Sequence, residues 1–239
     1  MSLLLVVRHG QASFLADNYD KLSPLGEQQA RLLGSHWLAR SVELTHVVYG
    51  PAERQIRTGE IVGDVYRAAG RHWPQPQSLA ALDEFPAEKV VRTFLPELEQ
   101  RYPHLAAFVQ QFHQTTELSL KRRLFDRVLR EVCERWLAGE VADSSFESWP
   151  QFCHRVQSAI ATILDAAPSS STIAVFTSAG PKAATAGLAL GLSPAATLNL
   201  TWSARNAAFS EFLFTRGRFS LSTFNETPHL ADPALVTYR

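Results

Sequence analysis

Leu3-Leu4-Leu5-Val6-Val7-Arg8-His9-Gly10-Gln11 is the stretch from which the fold is read. Five consecutive apolar residues, ending in two valines, have the pattern of a strand buried on both faces, as in a parallel sheet covered by helices. The run stops at a cation, an imidazole and a glycine. In open α/β sheets ligands gather beyond the carboxyl ends of the strands, so these polar residues stand where chemistry is expected.

Working outward, Ser23-Pro24 supplies a cap residue and a first-turn proline for a helix whose apolar side is Leu25, Ala30, Leu32, Leu33 and Trp37. A second strand fits 44–49, a second helix 52–68 and a third strand 77–82, which leads into Asp83-Glu84-Phe85. Later, 172–177 reads as another buried strand, followed by Ser178-Ala179-Gly180-Pro181 and a helix of small residues to Leu190. Residues 198–202, 207–215 and 218–224 read as strands, the last two as a hairpin around Arg216-Gly217. Between these parts the texture turns helical, with Leu105, Phe108, Val109 and Phe112, then Leu124, Val128, Leu129, Val132 and Trp136 at helical spacing. Its basic run Lys121-Arg122-Arg123 is interleaved with acids downstream and reads as a solvated helix face. Ser148-Trp149-Pro150-Gln151 has capping-box form and opens a helix with Phe152, Val156, Ile160 and Ile163 inward. The expected fold is a three-layer α/β/α domain over residues 1–239, with a mainly parallel sheet, one antiparallel edge strand and a helical insertion at 85–147. The insertion is expected to serve as a lid over the site or as a dimer contact in a homodimer.

Composition narrows the function classes. The chain has 239 residues, 46% hydrophobic and 19% charged, enough to bury a core. Lys plus Arg is 23 and Asp plus Glu is 23, a balance that argues against a dedicated nucleic-acid binder. Cys133 and Cys153 have no metal-ligand or redox spacing, so neither a zinc site nor a disulfide framework is expected. No apolar stretch approaches the roughly 20 residues of a membrane helix, and the first apolar run is too short for a secretory signal. A cytoplasmic protein with no membrane partner is expected.

Three chemically loaded turns follow three expected strands: Arg8-His9-Gly10, Asp83-Glu84 and Thr177-Ser178-Ala179-Gly180. Arg8 beside His9 sets a fixed cation next to an imidazole that can attack or carry a proton. Gly10 is expected to let the backbone approach a bulky anion. Arg54, in Pro51-Ala52-Glu53-Arg54, falls in the first turn of a helix, where a positive charge opposes the helix dipole. It is better explained by facing an anion than by serving the helix, and pairing with Glu53 or Glu60 is the plainer reading.

Leu-Val-Val-Arg-His-Gly at the start, Pro51-x-x-Arg54-x-x-x-Thr58, Leu82-Asp83-Glu84, Arg155 in the helix that follows Ser148, and the ending from Asn206 through Asn225 to His229 together resemble the histidine phosphatase superfamily, the phosphoglycerate mutase-like family. The resemblance spans about 1–84 and 148–230. It implies that His9 is a nucleophile phosphorylated on a ring nitrogen, that Arg8 and Arg54 clamp the phosphoryl oxygens, and that Glu84 protonates the leaving group and then activates water. It further implies that Gln11 orients substrate and that no metal or organic cofactor takes part.

The chain departs from the family pattern at one core position. Where a second histidine is expected, it has Ser178, a neutral donor that cannot supply charge; Gly50, Ala52 and Gly59 are milder departures. Three functions follow. The first is an enzyme, a phosphatase hydrolysing a small phosphomonoester, slow or narrow because of Ser178. The second is an inactive phospholigand-binding or protein-interaction module. The third, the least suited to a reduced clamp, is a phosphoglycerate mutase.

Overall fold

The computed structural model describes residues 1–13, 20–143 and 145–238. In chain order the elements are β1 Ser2–Arg8, α1 Pro24–Ala39, β2 His46–Tyr49, α2 Glu53–Ala68 and β3 Gln77–Ser78, then a single 3-10 turn at Ala80–Leu82. Next come α3 Ala87–Arg101, α4 Pro103–Gln114, α5 Leu118–Leu137 and α6 Trp149–Ala166, followed by β4 Thr172–Thr177, α7 Ala179–Leu190, α8 Pro194–Ser203, β5 Phe209–Thr215 and β6 Arg218–Glu226. The chain divides into two compact units, Met1–Glu84 with Cys153–Arg239, and Phe85–Phe152.

The first unit carries a six-stranded sheet in the order β3-β2-β4-β1-β5-β6. β1 to β4 are mutually parallel, and only β5 is reversed, against both β1 and β6, so the C-terminal hairpin makes the antiparallel edge expected from the sequence. Side chains alternate along each strand. Leu5 and Val7, Val47 and Tyr49, and Ala174 and Phe176 pack with Leu33, Trp37, Val62 and Tyr66 of α1 and α2 in one core. Trp37 meets Phe209 edge-on at 5.9 Å and Tyr49 meets Phe176 edge-on at 5.8 Å. Leu4, Val6, Ile173 and Val175 are buried on the opposite face.

Helix starts follow local chemistry. Ser23 caps α1 by accepting the Gly26 N–H, with Pro24 in the first turn, and Ser193 with Pro194 starts α8 in the same way. That second start explains a correction. Residues 198–202, expected as a strand, are helical, because the cap and proline four residues upstream nucleate a helix that buries Thr197, Leu198 and Thr201. The strand expected over 77–82 is also shorter: only Gln77 and Ser78 pair with β2 before the backbone turns toward Glu84.

The second unit is helical. Val90, Phe94 and Leu98 on α3 and Leu124, Val128, Leu129, Val132 and Trp136 on α5 are buried at helical spacing. Phe85, Trp136, Trp149 and Phe152 close an aromatic cluster, with Trp149 stacked on Phe152 at 5.1 Å. Arg123, Arg127 and Arg130 lie exposed, as read from the sequence, while Lys121 and Arg122 are half-buried. No helix among the described residues is long and apolar enough to cross a membrane.

His229 in the first unit is buried against Phe209, with ring centroids 6.2 Å apart. Neither of its nitrogens has a hydrogen-bond partner among the described residues. Burial, aided by His36 and Lys182, pushes its pKa down to about 3. Below about pH 6.5 the unfolded chain takes a proton that the folded chain refuses until about pH 3, so stability is lost as pH falls through that window. His229→Phe should flatten the slope of unfolding free energy against pH, with His229 accounting for about 2–3 kcal/mol of the loss between pH 7 and pH 4.5 in urea titrations.

Candidate active site

β1, β4 and β2 lie side by side and run the same way, so the residues just past their ends meet at one edge of the sheet. Arg8 pairs in register with Thr177, and the His9 N–H donates to the Thr177 carbonyl at 2.8 Å. Ser178 and Gly50 end the neighbouring strands, with the Gly50 N–H bonded to Phe176 O at 2.9 Å. The His9 carbonyl accepts from the Ala207 N–H at 3.1 Å and from Asn206 Nδ2 at 3.4 Å, so the backbone here is held from both sides.

The imidazole of His9 is buried, and its two nitrogens have distinct partners. Nδ1 lies 2.7 Å from Gly10 O. A carbonyl only accepts, so this nitrogen carries the proton. Nε2 lies 3.2 Å from Arg54 Nε, which only donates, so Nε2 holds a lone pair. The pKa of His9 is driven well below 6.5 by burial first, then by the charges of Arg54 and Arg8, against the opposing bond to Gly10. A neutral imidazole with a fixed tautomer and a lone pair facing a cation is a competent nucleophile toward an anionic centre.

Arg54 does face an anion, and in this structure it is a protein carboxylate. Arg54 Nη1 pairs with Asp20 Oδ1 at 2.5 Å, while the Glu53 and Arg54 N–H groups donate to Asp20 at 2.9 and 3.5 Å. The Ala52 side chain has no oxygen with which to cap α2, and Asp20 supplies the cap from 33 residues before Glu53, at the positive end of the helix. Asp20 therefore fixes the guanidinium whose Nε reaches His9. Four residues on, the buried Thr58 hydroxyl donates to Arg54 O at 2.7 Å and accepts the Gly10 N–H at 3.0 Å. That pair of bonds gives Arg-x-x-x-Thr its physical meaning: one helical turn ties the His9–Gly10 loop to the arginine.

The other expected site residues are placed as follows. Arg8 is buried, with Nη1 donating to Ala204 O and to Tyr238 O at 2.6 Å, and its charge acts on His9 across the site. Both oxygens of Glu84 accept from the Gly180 N–H at 3.1 Å, in the first turn of α7. The turn before Glu84 is gripped by Arg155, which donates to Ala81 O at 2.7 Å, and by the Thr177 hydroxyl, which donates to Leu82 O at 2.7 Å. Ser178 is buried and its hydroxyl accepts from Gln55 Nε2 at 2.7 Å. Gln11 Oε1 accepts from the Ser23 hydroxyl at 2.9 Å and its N–H donates to Gln29, bonds that join the loop to the start of α1.

Gly10 serves a close approach to α1: a Cβ there would lie 2.4 Å from Gly26 O. Asp20, Gln55 and Thr58 were not identified as site residues from sequence; of these, only the i, i+4 spacing of Arg54 and Thr58 left a signal.

Residues 120–227 match the model of the histidine phosphatase superfamily (branch 1). No curated protein sequence matches the chain. Among solved structures it is similar to the Entamoeba histolytica phosphoserine phosphatase in complex with 3-phosphoglyceric acid, at 17% identity and TM-score 0.62, over 96% of this chain and 100% of that one. It is similar also to a mycobacterial glucosyl-3-phosphoglycerate phosphatase (16%, TM-score 0.59, 94% and 99%) and to a Bacillus anthracis phosphoglycerate mutase (15%, TM-score 0.61, 96% and 95%). The match over 120–227 and the shared fold agree with the fold that the resemblance implies.

Thr58→Val keeps the shape of the side chain and removes the acceptor of a buried N–H. Denaturant unfolding should show a loss of about 1–3 kcal/mol, the cost of a buried donor left unpaired.

Proposed function

We propose that this chain, which has the fold of the histidine phosphatase superfamily, hydrolyses a small phosphomonoester through a phosphohistidine on His9. The observation that carries the reading is the His9 imidazole held with Nδ1–H on Gly10 O and its Nε2 lone pair beside the Arg54 guanidinium. A phosphoryl group in transfer spreads negative charge over its oxygens, so positioning and compensating cations do most of the catalytic work. Arg54 and Arg8 supply those cations, and Arg54 is already aimed at the attacking nitrogen.

In the first step the Nε2 lone pair forms a bond to phosphorus and the bond from phosphorus to the ester oxygen breaks. Protonated Glu84 gives its proton to the departing oxygen. His9 is then N-phosphorylated and keeps its Nδ1–H on Gly10 O, which stabilises the imidazolium character. In the second step water attacks phosphorus, the Glu84 carboxylate takes the water's proton, and the phosphorus–nitrogen bond breaks to return neutral His9 and phosphate. Ser178 contributes a neutral hydrogen bond to the phosphoryl oxygens. Gln11 acts at one remove, by anchoring the loop that carries His9.

Ser178 also favours a second reading, a phospholigand-binding module that does not turn over, because the position expected to be cationic is neutral and buried. Rapid acid-free quench with radiolabelled phosphomonoesters separates the two. A labelled histidine that vanishes in His9→Ala supports the enzyme, whereas phosphate binding without any labelled histidine supports the module. Arg54→Ala should lower kcat/KM by about 10²–10³, the usual cost of one preorganised donor to a developing charge. Because the pKa of His9 lies well below 6.5, its neutral form persists as pH falls, so kcat/KM for p-nitrophenyl phosphate, corrected for ionisation of the substrate, should show no inflection near pH 6.5.

A further inference from the structure

Gln55 lies wholly buried in the first turn of α2, one residue beyond Arg54, and nothing in its sequence context singles it out. Its amide orientation is determined by its surroundings. The Ala52 N–H donates to Oε1 at 3.1 Å, which leaves Nε2 facing Ser178 Oγ at 2.7 Å. Since Nε2 can only donate, the serine oxygen must accept, and its own hydrogen has to point elsewhere. Ser178 is the N-cap residue of α7 but its side chain makes no capping bond, and that hydrogen has no acceptor among the described residues. Both side chains are excluded from solvent, so the serine proton is a buried donor held in readiness.

Gly50 completes the set. A Cβ at position 50 would lie 2.0 Å from Gln55 Oε1 and 2.9 Å from Leu82 O, so any larger residue would push the amide off Ser178. The departure at 50 thus leaves room for the Gln55 amide, which in turn bonds the serine at 178.

We infer that Gln55 is a positioning residue that turns the Ser178 hydroxyl proton onto the phosphoryl group beside His9, so that a chain running from the Ala52 N–H through Gln55 to Ser178 stands where a second imidazole is expected. The inference rests on the phosphate-binding reading of His9 and Arg54. In such a chain each donor polarises the next, and the final donor is stronger than an isolated hydroxyl while remaining uncharged. Gln55 touches no reacting atom and acts through Ser178.

The test is calorimetric binding of inorganic phosphate to the full chain, with melting temperature measured on each variant. Gln55→Met keeps most of the volume and removes both bonds. Ser178→Ala removes the terminal donor. Each should weaken phosphate binding about 10-fold, roughly one hydrogen bond's worth, and the double variant should be no weaker than either single one. Gln55→Glu provides a second probe that preserves shape and the acceptor for Ala52. It presents an acceptor to Ser178, draws the serine proton away, and should weaken phosphate by at least as much. A purely structural Gln55 would lower the melting temperature and leave the phosphate affinity of the folded protein unchanged, and that result overturns the inference. Additive losses in the double variant overturn it as well. If Arg54→Ala abolishes phosphate binding while the Gln55 variants bind like wild type, only this inference falls. If wild type and Arg54→Ala bind phosphate equally poorly, the reading of the whole site falls with it.

Discussion

The contact between Arg54 Nε–H and His9 Nε2, 3.2 Å long, constrains the rest of the site. An imidazole can attack only through a nitrogen that carries a lone pair, and a buried imidazole has two tautomers of similar energy unless its neighbours choose between them. Gly10 O chooses one by demanding a proton at Nδ1, and Arg54 reinforces the choice by donating at Nε2. The surrounding framework keeps these two partners in place. Thr177 O holds the His9 N–H, Thr58 ties Gly10 to the carbonyl of Arg54, and Asp20 braces the guanidinium while capping the helix that carries it. Apart from the Thr58–Arg54 bond within α2, each of these joins segments far apart in sequence, and all meet where three parallel strands end.

The electrostatics of this edge are economical. Two guanidinium groups supply the positive charge, both largely buried, and one of them is partly balanced by Asp20. Burial keeps His9 neutral, and their joint field adds to it. A third cation close by would depress the imidazole further and would itself be costly to desolvate. A neutral hydroxyl oriented by a neutral amide avoids that cost and gives up the additional strength of a charge-assisted bond, roughly a factor of two. The Ser178–Gln55 arrangement is thus a coherent alternative to a buried imidazolium, with its own packing requirement at Gly50.

Much of this was legible in the chain. The run Leu3–Val7 specified a strand covered on both faces, the Ser23-Pro24 pair specified a helix start, and the small-residue stretch after Ser178 specified a tightly packed helix. These are local signals, carried by hydropathy and capping over a few residues. The failures were local signals read with the wrong period. Residues 198–202 are rich in strand formers, yet Ser193 and Pro194 had already started a helix, and β3 stopped after two residues because the backbone turns away toward Glu84. His9 and Arg8 were legible as residue types at a strand end, and Arg54 as a cation in the first turn of a helix. Thr58 was legible only as part of the Arg-x-x-x-Thr spacing, and Gln55 and Asp20 were not legible, because each matters through a partner far along the chain, at separations of 123 and 34 residues.

By itself the sequence determined an α/β fold, the edge of the sheet where polar residues collect, and the identity of the imidazole and the charged groups placed there. It also determined that Ser178 brings no charge. The tertiary structure decided which nitrogen of His9 bears the proton, which carboxylate braces Arg54, and where the Ser178 proton can go. Hydropathy period and helix capping act between near neighbours and survive in a linear string. Hydrogen-bond direction depends on which donor and acceptor are brought within about 3 Å, and only the folded chain sets that.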